Sequence, residues 1–208
     1  MTHIAVIHTD EQRQAHIDKL IVIEPRFVSI YEQVGLPDLH QQPQGFAQMV
    51  RAIIAQQISA SAARRIYQRI EQAGLMTPNA IQVADDDHLQ KQGLSKQKIR
   101  YLRSLAEHDI DYDTLAYLSD EAVIKQLTAV TGVGRWTAQM YLLFSLRRVD
   151  ILPVDDLAIK VAAQALLGLD KRPTPNQLTQ LTNPWSPHRS VASLLLWTYY
   201  GVLKNQAG

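Results

Sequence analysis

Apolar residues recur along most of this chain at the spacing of an amphipathic helix. Phe46, Met49, Val50, Ile53 and Ile54 follow the i, i+3, i+4, i+7, i+8 pattern of one buried stripe. Ala63, Ile66, Tyr67 and Ile70 repeat it behind Ser59, a residue suited to cap a helix N-terminus. Thr77-Pro78 reads as an N-cap followed by proline in the first turn. Gly93 ends a short helix, and Ser95 caps the next, which turns Ile99, Leu102 and Leu105 inward. Asp120 is read as the cap of a helix carrying Val123, Ile124 and Leu127. Further helices are expected over Arg135 to Leu146 and Asp156 to Leu167, the latter stopped by Gly168. Thr174-Pro175 and Ser186-Pro187 are expected to start the last two. No segment alternates with the period of a half-buried strand. The pattern predicts an all-α protein.

Composition narrows this picture. A chain of 208 residues with 46% hydrophobic content can bury a substantial core. No run is long and apolar enough to span a bilayer, so no membrane is expected among its partners. The opening M-T-H-I-A-V-I-H-T-D lacks the basic start and long apolar region of a secretory leader, which points to the cytoplasm. There are no cysteines, which excludes disulfides and cysteine-held iron–sulfur clusters. The seven histidines show no metal-ligand spacing. A net charge of +1 does not announce a nucleic-acid binder. Basic residues are nevertheless grouped: Arg64, Arg65 and Arg69; Lys96, Lys98, Arg100 and Arg103; Arg147 and Arg148. Taken alone, such groups read as solvated helix faces.

Residues 127–138, L-T-A-V-T-G-V-G-R-W-T-A, set a Gly-x-Gly turn between two helical patterns. Gly132 and Gly134 can both take positive φ without a side-chain clash. The amides that such a turn exposes at the start of a helix make a seat for a phosphate oxygen. Downstream, P-V-D-D-L-A-I-K puts Asp155 and Asp156 at the start of the next helix, where the helix dipole favours negative charge. By themselves two aspartates there read as N-cap residues. Behind a phosphate-binding hairpin they also suggest chemistry on a nucleic acid.

Together the two strings resemble the helix-hairpin-helix DNA glycosylases, the HhH-GPD superfamily, in which the hairpin is followed by a Gly/Pro-rich segment and a catalytic aspartate. The likeness extends from about residue 24 to 204, and is closest to the alkylation-type, 3-methyladenine DNA glycosylase II branch. It implies a two-lobed helix-hairpin-helix DNA glycosylase fold of about ten helices with a cleft between the lobes. Residues 1–208 would form one catalytic unit. One lobe would run from about 44 to 150 and contain the hairpin, residues 127–138; the other would combine about 1–43 with 151–208. Members that carry an iron–sulfur cluster hold it through four cysteines, which this chain lacks.

The resemblance assigns roles. Asp156, which directly precedes Leu157 of L-A-I-K, matches the catalytic aspartate; Asp155 does not and is read as a cap. A carboxylate there would stabilise the positive charge that develops on a deoxyribose as its N-glycosidic bond breaks, and could orient or deprotonate water. Members that also cut the strand carry a lysine where this chain has Trp136, and its amine forms a Schiff base with the sugar. An indole cannot, so a monofunctional enzyme without lyase activity is expected. Trp136 and Trp197 match base-pocket positions, and an aromatic face attracts a cationic alkylated purine. Met140 stands where the branch has a pocket tyrosine. Trp197 reads equally well as a core aromatic on an apolar helix.

In I-I-A-Q-Q-I-S, residues 53–59, Gln57 takes the place of the wedge side chain that fills the gap when a nucleotide is flipped out, with Ile58 beside it. Gly132, Val133, Gly134, Arg135 and Thr137 are the expected contacts to the DNA backbone. The carbonyls of Thr128, Val130 and Val133 match a site for a monovalent cation, sodium or potassium; no other cofactor is expected. The string W-S-P-H-R-S, residues 185–190, is expected to fix the last helix on the core, with Arg189 paired internally.

The expected activity is hydrolysis of the N-glycosidic bond of alkylated purines, 3-methyladenine above all, in double-stranded DNA by a monomer, leaving an abasic site for base excision repair. A glycosylase for deaminated bases such as uracil or hypoxanthine is the alternative within the class. A non-enzymatic hairpin DNA-binding module is the alternative outside it; such a module would have no use for the aspartates or the Q-Q-I-S string.

Overall fold

The computed structural model describes residues 4–206; Met1, Thr2 and His3, which open the N-terminal string read above for a leader, lie outside them. Among the described residues the chain forms twelve α-helices and no strand beyond one isolated bridge between Val6 and Arg148. The all-α expectation holds, while the count of about ten was low by two. The additional pair is α1 (Asp10–Ile23) and α2 (Phe27–Val34). α1 buries Arg13, Ile17 and Leu20 and leaves Val22 exposed, so its buried stripe begins with a charged residue and blurs the apolar period.

The chain divides into two compact units, residues 42–141 and residues 1–41 with 142–208. The first contains α3 (Phe46–Ala55), α4 (Ala60–Gln72), α5 (Pro78–Val83), α6 (Asp86–Lys91), α7 (Lys96–Glu107), α8 (Asp120–Thr128) and α9 (Arg135–Met140). Its core is built from the predicted stripes: Met49, Val50, Ile53 and Ile54 of α3, Ile99, Leu102 and Leu105 of α7, and Val123 and Leu127 of α8 are buried. Each such side chain contributes about 1.5–3 kcal/mol by leaving water. Ser59, Thr77, Asp85 and Ser95 cap their helices through their side chains. α8 is capped by Ser119, whose hydroxyl accepts from the Ala122 amide, and Asp120 is the first helical residue instead.

The basic groups are not simply solvated faces. Arg103 donates to the Ile81 carbonyl, to Gln82 O at 2.7 Å and to Ala84 O at 2.6 Å, closing the C-terminal end of α5. Arg69 Nε reaches Gln92 O at 2.8 Å at the end of α6. Carbonyls at a helix C-terminus lack intrahelical partners, and arginine is well shaped to satisfy several at once.

The second unit contains α1, α2, α10 (Leu157–Leu167), α11 (Pro175–Thr182) and α12 (Arg189–Gln206). α12 runs through its middle, with Ser190 to Leu196 all buried, and packs on α1, α2 and α10. Phe27 meets Trp185 edge to face at 5.0 Å between ring centroids. Two expected boundaries move. The helix predicted through Leu146 is α-helical only to Met140 and widens to a π turn over Tyr141–Ser145; it ends where Arg147 takes φ 56° and the Arg148 amide bonds Leu142 O at 3.0 Å. Ser186-Pro187 does not start α12, because the Ser186 hydroxyl donates to Asp150 at 2.7 Å rather than capping.

Candidate functional site

Within residues 42–141, α8 and α9 flank the predicted hairpin. Val133 N–H bonds Val130 O at 3.0 Å, which closes the turn, and the first intrahelical bond of α9 runs from Ala138 N–H to Gly134 O at 3.1 Å. The two glycines differ. Gly132 has φ 88°, and a Cβ placed there would lie 2.3 Å from the Tyr101 ring. Gly134 has φ −87°, and a Cβ there would meet nothing within 4 Å. Only Gly132 therefore uses the positive φ expected of both. Its requirement comes from α7, whose Tyr101 packs across the turn and whose Ser104 hydroxyl accepts the Thr131 amide at 2.9 Å. Neither residue was singled out in the sequence, since the contact joins positions far apart along the chain.

The predicted backbone contacts separate by what they present. Gly134 and Arg135 are exposed, Val133 is buried, and the Thr137 side chain is buried too, so Thr137 has only its main chain to offer. The Arg135 guanidinium forks onto Glu121 of α8 at 2.6 and 3.2 Å. That bond holds the Glu121 carboxyl below its usual range. Trp136, 48% exposed, projects from the first turn of α9, and Met140 lies half-buried at its end. Gln57 is exposed with φ 59°, unusual for a residue with a side chain, and Ile58 beside it is 38% exposed. The preceding Gln56 donates from Nε2 to the Gly132 carbonyl at 2.9 Å, so the Q-Q-I-S loop is tied to the hairpin.

Within the other unit, residues 148–151 are stitched to the start of α12. Ser190 N–H bonds Val149 O at 3.0 Å, its hydroxyl donates to Arg148 O at 2.6 Å and accepts the Ile151 amide at 2.9 Å, and the Ser193 hydroxyl donates to Ile151 O at 2.8 Å. Arg189 pairs internally as expected: Nε and Nη2 reach the two Asp150 oxygens at 2.7 Å each. Burial opposes the Asp150 charge, but Arg189 and Ser186 outweigh it and hold the carboxyl below its usual range.

This fixed segment delivers Pro153 to Asp156 as a turn, closed by the Asp156 amide on Pro153 O at 3.0 Å. Asp156 is the N-cap of α10: its Oδ1 accepts the Ile159 amide at 3.1 Å. The same oxygen accepts from Trp197 Nε1 at 3.3 Å. The indole is half-buried and stacks on Phe144 with 6.0 Å between ring centroids and 24° between planes. Asp155 is exposed. The sequence pattern could identify Asp156 as a cap or as a catalytic carboxylate; the coordinates make it a cap and also orient it through an aromatic donor.

Residues 50–187, more than half of the chain, match the HhH-GPD superfamily of base excision DNA repair proteins. The chain belongs to this superfamily. It is 29% identical over 187 residues to an alkylbase DNA glycosidase-like protein, mag2, of Schizosaccharomyces pombe, covering 84% of this chain and 88% of that one. Among solved structures it resembles a DNA-3-methyladenine glycosidase of Bacillus halodurans, with 32% identity, coverage of 92% and 91% and a TM-score of 0.83. It also resembles the S. pombe 3-methyladenine DNA glycosylase in complex with abasic DNA, with 30% identity, coverage of 86% and 95% and a TM-score of 0.72. The matched span of the HhH-GPD chain takes in the Q-Q-I-S loop, the hairpin and the P-V-D-D turn together.

Proposed function

We propose that this HhH-GPD protein is a monofunctional DNA glycosylase that hydrolyses the N-glycosidic bond of alkylated purines, 3-methyladenine in particular, in duplex DNA. The observation that carries the reading is Asp156, whose Oδ1 is held by the Ile159 amide at 3.1 Å and the Trp197 indole at 3.3 Å. A carboxylate fixed in direction beforehand does not have to reorganise as positive charge develops on the sugar, which is where electrostatic catalysis gains most. The likeness to a DNA-3-methyladenine glycosidase and to a 3-methyladenine DNA glycosylase supports the same reading.

The chemistry follows from the residue types. Alkylation of a purine ring nitrogen makes the base cationic, so it leaves as a neutral molecule when the C1′–N bond breaks. Asp156 stabilises the oxocarbenium-like sugar, and water adds its oxygen to C1′ and gives up its proton to the Asp156 carboxylate. The exposed indole of Trp136 offers an electron-rich face to the cationic base. Position 136 has no amine, so no Schiff base forms and the strand stays intact. The turn around Gly134 grips the DNA backbone through main-chain amides, and Gln57 fills the space of the flipped nucleotide. Thr128 ends α8 and Val130 and Val133 lie in the turn behind it, where main-chain carbonyls of a helix end suit a hard monovalent cation. When bound, such a cation would add positive charge beside the DNA backbone.

Base release from methylated duplex DNA by the purified protein, read by chromatography of the free bases, tests the reading. Free 3-methyladenine with strands cut only after alkali is expected. Strand scission without alkali would overturn the monofunctional assignment, and absence of any methylated base would overturn the substrate class.

A further inference from the structure

The loop that carries Gln57 and the hairpin both belong to residues 42–141, and one side chain joins them. Gln56 ends α3, with its amide on Ile53 O at 3.3 Å, and its Nε2 donates to the carbonyl of Gly132 at 2.9 Å. That carbonyl belongs to the one hairpin residue with a left-handed backbone, φ 88°, and the next loop residue, Gln57, is left-handed as well, φ 59°. The hydrogen bond thus runs to a left-handed glycine from the residue immediately before a left-handed glutamine. α7 steadies both ends: Lys98 donates to the Ile54 carbonyl at the end of α3, while Tyr101 and Ser104 hold the hairpin at Gly132 and Thr131.

We infer that Gln56 is a positioning residue that makes backbone grip and wedge insertion one rigid act. This rests on the reading of the hairpin as the backbone anchor and of Gln57 as the wedge. A phosphate seated on the hairpin fixes where Gly132 lies on the duplex. Through Gln56, it then fixes the height and direction at which Gln57 meets the base stack. Without the donor, the left-handed Gln57 backbone is free to relax to an ordinary conformation, and inserting it requires ordering the loop anew. Grip and insertion become separate events.

The test compares the full chain with Gln56→Met, which keeps the length and removes the donor, and with Gln57→Ala. Readouts are thermal melting, affinity for undamaged duplex, fluorescence of 2-aminopurine in a duplex where flipping unstacks it, and single-turnover base release. Gln56→Met is expected to bind undamaged duplex and to melt like the wild type. It should lose roughly fivefold in flipping amplitude and in single-turnover rate, the scale of one hydrogen bond. Gln56→Glu, which offers an acceptor to the same carbonyl, should lose more and serves if the Met variant does not fold. Unchanged flipping in both Gln56 variants, with flipping lost in Gln57→Ala, would overturn the proposal. So would an equal loss of undamaged-duplex affinity, or failure of both variants to fold, either of which would make Gln56 a support of the hairpin alone. Normal flipping in Gln57→Ala would remove the wedge and the proposal with it. Flipping is read without catalysis, so a wild type that flips but releases no base would sink the glycosylase reading and leave this one standing.

Discussion

Two aspartates bracket the stretch I-L-P-V-D, and the protein treats them differently. Asp150 is gripped by the Arg189 fork, with Ser186 and the Arg189 amide on the same carboxylate. At Asp156, Oδ1 accepts from a main-chain amide and from an indole N–H. A guanidinium fork cancels a carboxylate's charge and ties two segments together. A main-chain amide and an indole N–H on one oxygen set the direction of the carboxylate. The same residue type is thus a clamp between two segments in one setting and, in the other, an oriented helix cap to which the proposed chemistry is assigned.

The contrast can be broken at several points. Asp156→Asn should reduce single-turnover base release at least about a hundredfold, the scale of losing one preorganised electrostatic group. Asparagine also caps helices well, so its melting temperature should stay near wild type. A large drop in melting temperature with residual turnover would reverse the roles of the two aspartates. Asp150→Asn removes the charge opposite Arg189 in a mostly buried place and should cost about 2–3 kcal/mol, read as a shift in the denaturation midpoint, while base release per folded molecule largely survives. If that variant folds normally and loses activity, Asp150 is more than a clamp. Trp197→Phe keeps the stacking on Phe144 but removes the donor to Asp156. A fall of roughly fivefold in single-turnover rate with unchanged substrate affinity is expected. A change confined to affinity would return Trp197 to the base pocket alone.

The smallest effect is one of pH. His16 and His188 share a 2.7 Å contact between Nδ1 atoms. Burial lowers both below the ordinary 6.5, helped at His16 by the neighbouring His188. Their contribution to stability is complete above pH 6.5 and is lost as pH falls through the lowered values. Asp150, held below 3.8, keeps its contribution until pH falls beneath that range. Melting temperature should decline in two stages on acidification; Asp150→Asn should shrink the lower one, which Glu24 and Glu121 share, and deepen the upper one, because the Asp150 charge favours protonation of both histidines.

The fold was legible where apolar stripes were long and capped. α3, α4, α7 and α10 lie where their periods put them, and Gly168 stops α10 with φ 63°. α1 was hidden because Arg13 occupies its buried stripe, and the π turn after Met140 follows no residue-level signal such as proline or glycine. Local motifs marked the hairpin and Asp156. What fixes them was not local: Tyr101 against Gly132, Gln56 on the Gly132 carbonyl, and Ser190 and Ser193 on the segment before Asp156. Such contacts depend on which helix the chain brings alongside, and spacing along the sequence carries no record of that. The basic groups misled for the same reason, since Arg103 finds its carbonyls only once α5 and α7 are packed.

Gly134 has a further consequence. It occupies an N-cap with an ordinary backbone angle and open space where a side chain would stand. Serine or aspartate there would close a capping bond and stabilise the molecule by a few tenths of a kcal/mol. The chain leaves that stability unclaimed. A protein engineer seeking a hardier version would meet an easy improvement at this residue and, in taking it, would roughen the bare stretch of main chain on which the proposed grip on DNA depends. On the proposed reading, robustness and repair pull in opposite directions at a single hydrogen atom.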